Sequence, residues 1–87
     1  MKVLELKSLH RDDDGIYYRR TFTGYTVIEL MAESVELPIK FTIETSAFGG
    51  KTVDVDIDKT SINYPIVPLM TKLKQYVLSQ DEEGLLP

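Results

Sequence analysis

Two runs of alternating apolar and polar residues, separated by a glycine-bearing turn, constrain this chain more than anything else in it. Ile39, Phe41 and Ile43 alternate with Lys40, Thr42 and Glu44, while Val53, Val55 and Ile57 alternate with Asp54, Asp56 and Asp58. A period of two places each apolar triplet on one face of a strand. Ser46-Ala47-Phe48-Gly49-Gly50 between them supplies the hairpin connection. If both triplets face one core, Ile43 pairs with Val53, Phe41 with Val55 and Ile39 with Ile57. The same register sets Lys40 opposite Asp56, an opposite-charge pair contributing about 0.2 to 1 kcal/mol.

Strand signals continue upstream. Val3, Leu4, Leu6 and Leu9 among polar neighbours read as a half-buried strand over residues 2 to 10. Asp12-Asp13-Asp14-Gly15 reads as a turn, because Asp side chains bond nearby amides and Gly15 tolerates a positive φ. Ile16 to Thr23 and Tyr25 to Leu30 are rich in aromatic and β-branched residues. Gly24 between them fits either a tight turn or a bulge in one long strand, and the division into two strands is favoured. Met31 to Leu37 shows no sustained period and reads as a connection, with Pro38 opening the next strand.

The period changes after Tyr64. Ile66, Leu69, Met70, Leu73, Tyr76 and Val77 recur at helical spacing, so an amphipathic helix is expected over about 66 to 80. Pro65 and Pro68 confine its start, since proline is tolerated only where an amide lacks a helical acceptor. Asn63 or a neighbour is the expected cap. Asp81-Glu82-Glu83 sets negative charge at the negative end of the helix dipole, so residues 81 to 87 are expected as a frayed or flexible tail.

These elements give an α+β domain: an antiparallel sheet of four or five strands, a meander or a small curved barrel-like sheet, followed by one C-terminal amphipathic helix packed on it. The chain of 87 residues is expected to form a single domain over 1–87. Apolar residues at 43% and charged residues at 28% suit a globular domain and not a disordered one. With no cysteine, neither a disulfide nor a thiolate metal site supplements the core. No apolar run approaches the roughly 20 residues of a membrane span. The alternating N-terminus does not read as a leader, and the expected location is the cytoplasm. A net charge of −4 lowers the expectation of non-specific binding to nucleic acid or anionic lipid.

Motifs that carry chemistry are weak. Asp54, Asp56 and Asp58 resemble the start of a calcium loop, but Lys59 and Pro65 stand where such a loop needs glycine and a bidentate glutamate. Gly49-Gly50-Lys51-Thr52 lacks the earlier glycine and following helix of a phosphate loop. His10 is the single histidine and precedes an acidic turn, where it serves as a solvated residue unless a pocket joins it to an aspartate. No catalytic residue, metal ligand or cofactor is therefore assigned.

The remaining candidates are surfaces. Tyr17, Tyr18, Arg19, Arg20, Phe22 and Tyr25 form the densest aromatic and basic cluster, and Leu85-Leu86-Pro87 is an apolar tail. The leading expectation is a non-enzymatic protein-interaction module, binding a protein partner or a second copy through Tyr17, Arg19, Arg20, Leu85 and Leu86. Its motive is that a five-stranded sheet exposes more apolar surface than one helix covers, so either the sheet curls or another chain completes the burial. The alternative is a small barrel binding single-stranded nucleic acid, in which rings stack on bases and Arg meets phosphate.

Overall fold

The computed structural model describes residues 2–12, 15, 18–58 and 65–87. Four strands, β1 (Lys2–Asp12), β2 (Arg19–Leu30), β3 (Glu33–Thr45) and β4 (Lys51–Ile57), are followed by one helix, α1 (Ile66–Glu82). The strands form an antiparallel meander in the order β1-β2-β3-β4. The sheet is not closed, and the expected antiparallel meander with one C-terminal helix packed on it is the architecture observed.

The β3–β4 hairpin has the register argued from alternation, with Ile39 opposite Ile57, Lys40 opposite Asp56, Phe41 opposite Val55 and Ile43 opposite Val53. Phe22, Ile28, Leu37, Ile39, Phe41, Ile43, Val53 and Ile57 line the concave face and meet Leu69, Leu73 and Val77 of the helix, all buried. Phe22 and Phe41 face each other across β2 and β3 with ring centroids 5.0 Å apart. The sheet has four strands and not five, and the single helix packs on its apolar face. The concave face is filled within one chain.

Three expectations are corrected. The first is Gly24, which does not divide two strands: β2 runs unbroken from Arg19 to Leu30. Opposite Gly24, β1 bulges between Lys7 and His10, and Ser8 takes a φ of 53°. A Cβ at Gly24 would lie 2.7 Å from Leu9 Cδ2, 2.9 Å from the Lys7 carbonyl oxygen and 3.0 Å from that of Ser8. The glycine is needed for close approach and not for a turn. Gly24→Ala is therefore expected to destabilise the fold by about 2 kcal/mol through overpacking, read as a lower urea midpoint. A midpoint equal to the native one would show that the bulge adjusts freely.

The second and third concern Met31 to Pro38. This segment is not a connection; β3 already begins at Glu33, and the turn is Met31-Ala32 alone, with φ of 47° and 71°. Two consecutive positive φ values are those of a tight hairpin turn that normally selects Asn and Gly, so Met-Ala hides it. Pro38 lies within β3, paired with Tyr25, and does not open the strand. The Thr45 amide donates to the Tyr18 carbonyl, so odd residues of β3 direct their amides toward β2 and even ones toward β4. The β4 ladder has ended at Ile57 opposite Ile39, and the missing amide of Pro38 interrupts nothing.

A second bulge between Val3 and Glu5 completes the logic of β1. Each bulge adds one residue on β1, so Val3, Leu6 and Leu9, spaced by three instead of two, all pack against the core. Leu4 is the extra residue, and its carbonyl accepts the Tyr76 hydroxyl at 3.3 Å.

Helix α1 starts immediately after Pro65, with Pro68 in its first turn. Asn63, the expected cap, lies outside the described residues. The helix runs alongside both outer strands, β4 and β1, and so occupies the gap that an open four-stranded sheet leaves. It continues to Glu82, so Asp81 and Glu82 lie within the helix. Gly84, at φ 71°, ends it: the Gly84 amide donates to the Asp81 carbonyl and the Leu85 amide to the Gln80 carbonyl, the paired bonds of a Schellman end. Among the described residues no helix is long and apolar enough to cross a membrane.

Candidate functional site

The sheet leaves two surfaces open, its convex face and the end where the β3–β4 hairpin turns. The convex face is polar because alternation sends Thr21, Thr23, Thr42, Lys40, Glu44, Asp54 and Asp56 there, opposite the buried row. Thr21 and Thr42 hydroxyls meet at 3.3 Å, and Lys7 pairs with Glu36 at 2.9 Å. That pairing raises the Lys7 pKa, chiefly through the Glu36 hydrogen bond.

An open depression on this face is lined in part by His10, Tyr25, Lys40, Asp56 and Asp58. The ladder measures what these can do together. His10 pairs with Thr23, Thr23 with Lys40 and Lys40 with Asp56, so one row crosses all four strands. Three strand spacings separate His10 from Asp56 by about 14 Å. A direct His10–Asp56 hydrogen bond is out of reach, and that pair does not form the orienting dyad of a general base.

The hairpin end is built differently. Ser46 organises the turn: its amide donates to the Gly50 carbonyl at 2.7 Å, and its carbonyl accepts the Gly49 amide at 3.0 Å. Its hydroxyl oxygen accepts the Phe48 amide at 3.3 Å and the Gly50 amide at 3.1 Å. Gly49 adopts a φ of 88°. This turn holds Phe48 at its tip with 99% of its surface exposed. Tyr18, half exposed, is fixed beside it through its carbonyl bond to the Thr45 amide. A depression lined by Tyr18, Glu44, Thr45, Ser46, Ala47 and Thr52 adjoins the tip.

On the concave side of the same end, Asp81 ties three elements together. Arg20 of β2 donates two bonds to its carboxylate, at 2.8 and 3.1 Å, and Lys51 of β4 a third at 2.6 Å. The Asp81 side chain is only 7% exposed. The Arg20 hydrogen bonds are the main cause that holds its carboxyl down to about 2; burial opposes them and Lys51 adds to them. Its charge at the helix terminus is thus met by two cations, which offsets the unfavourable dipole position.

The residues expected to bind a partner are dispersed. Tyr17 lies outside the described residues. Arg19, opposite Glu44, faces a depression that also holds Asp12, Lys40 and Asp54. Arg20 is engaged with Asp81, Leu86 packs against the core and Leu85 stays 60% exposed just past the helix end. Arg19 and Arg20 therefore present no joint cationic surface. Phe48 was missed, because a residue in a turn has no period from which its exposure follows. The detectable signal was a large aromatic directly before Gly49-Gly50, where no strand buries it.

Fold and surfaces together define a small β-meander filled by one helix, polar on its convex face and with an exposed aromatic ring, Phe48, at one hairpin end. The chain matches the BB-0187 family over residues 1–82 and belongs to that family. No curated protein and no solved structure matches it.

Proposed function

We propose that this chain is a non-enzymatic protein-interaction module whose contact surface is the β3–β4 hairpin end. The observation that supports this most is Phe48, fully exposed on a turn whose backbone is already fixed by the Ser46 hydrogen bonds. Burying an aromatic ring contributes about 1.5 to 3 kcal/mol, and a preformed turn avoids the entropy of ordering the loop on binding. Aromatic anchors at the centre of a contact are the side chains that carry most binding energy. Tyr18, half exposed in the depression that adjoins the turn, extends the aromatic area.

The nucleic-acid alternative loses support from the placement of its residues. Arg20 is spent on Asp81, and Arg19 stands near Asp12, Glu44 and Asp54, a setting that repels phosphate.

A photo-crosslinking amino acid in place of Phe48 tests the reading in cells, with the same group at Thr42 on the convex face as comparison. Position 48 is expected to give one discrete adduct, displaced by excess native chain and not by a Phe48→Asp chain. Adducts from position 42 with none from position 48 overturn it.

A further inference from the structure

The hairpin end carries a protrusion and a recess side by side. Phe48 projects from the turn and does not fold back into the adjoining depression, since the ring remains 99% exposed. That depression, lined by Tyr18, Thr45, Ala47 and Thr52 among others, has a volume of ≈ 650 Å³, within the range of sites that receive small ligands.

We infer that this end is a self-association surface: Phe48 of one copy enters the Tyr18–Ala47 depression of a second copy, which returns the same contact. The inference rests on the interaction reading above and names its partner. A knob and its hole on one patch of one chain close under a two-fold rotation, because each copy supplies what the other lacks.

Charge favours the same place. The chain carries a net −4, and Asp54 and Asp56 on the convex face oppose the approach of another copy there. At the hairpin end Arg20 and Lys51 balance Asp81 and Glu44. Exposed Glu82 and Glu83 at the nearby helix terminus leave a residual repulsion, so association strengthens as salt screens it. Nucleic-acid binding has the opposite salt dependence.

The contact is small. Two phenylalanine rings bury about 150 to 250 Å² each, which with Tyr18 stays below the roughly 1,200 Å² of a stable complex. The dimer is accordingly weak, with a Kd between about 10 μM and about 1 mM. Sedimentation equilibrium across that range is expected to show a mass rising with concentration, and rising further at higher salt. Phe48→Ala and Ala47→Glu should each remain monomeric throughout. Both positions are exposed, and circular dichroism matching the native chain checks that the variants fold. In a mixed isotope-labelled sample, intermolecular NOEs are expected between the Phe48 ring and the Ala47 methyl.

A native chain that is monomeric over the whole range, or a Phe48→Ala chain that still associates, overturns the inference. If the native chain is monomeric while position 48 crosslinks to a different protein, self-association alone falls. If position 48 also gives no adduct, the interaction reading falls with it.

Discussion

A Phe41→Ala chain is expected to lose about 3 to 5 kcal/mol of stability, read as a lower urea midpoint at unchanged slope. Phe41 is 1% exposed at the centre of the sheet, flanked by Phe22 on one neighbouring strand and Val55 on the other. Truncation removes the buried ring and leaves a cavity that the surrounding strands cannot close. It also ends the stacking with Phe22, whose centroid is 5.0 Å away. A domain of this length has a total stability of about 4 to 13 kcal/mol, so this one change takes a large share of it. Phe48→Ala, the same substitution at a fully exposed site, is expected to change stability by less than about 0.5 kcal/mol. Similar losses at the two positions would contradict the placement of both rings.

Asp81→Asn is expected to cost about 2 kcal/mol at neutral pH, and the loss should disappear in acid. The carboxylate, 7% exposed, holds Arg20 and Lys51 against the end of α1. Its pKa falls from 3.8 to about 2 on folding, close to two units at about 1.4 kcal/mol each. A group whose folded pKa is depressed stabilises the fold above its unfolded pKa and loses that contribution as pH falls through the folded one. The native chain should therefore shed this stability between about pH 4 and about pH 2, while the Asn variant is flatter over that window. Chemical denaturation at a series of pH values measures both curves. Parallel curves would show that Asp81 is not the group responsible.

What could be read in advance follows from how local each signal is. The β3–β4 register was legible because both strands have one wet and one dry face, and a one-residue slip would expose Phe41 and Val55 together. The helix was legible because Leu69, Leu73 and Val77 repeat on one stripe. The Met31-Ala32 turn was hidden because neither residue is one that favours a positive φ. The role of Gly24 depends on the carbonyls of Lys7 and Ser8 across the ladder, which no local pattern reports. The spacing of Val3, Leu6 and Leu9 did carry the bulges, had a period of three been read as a strand with inserted residues.

The site was less legible than the fold. Arg20 and Asp81 are 61 positions apart, and their pairing depends on where the helix ends over the sheet. Alternation alone sends Arg19 and Arg20 to opposite faces, but it does not report that Arg20 meets Asp81 or that Arg19 stands opposite Glu44. Phe48 needed knowledge of which aromatic rings the core leaves out, and that is decided by the whole packing of Phe22 and Phe41.

The helix that lies along β1 and β4 leaves a ribosome only after all four strands have emerged. Until residues 66 to 82 have emerged, the nascent meander has its oily inner surface open and two unguarded strand borders at once, the condition in which sheets join to one another. The Tyr76 bond to Leu4 and the Asp81 bond to Lys51 then act as latches that shut both borders in a single docking event. Translational arrest before residue 66 should leave a sticky intermediate, and supplying the helix in trans as a peptide should quiet it.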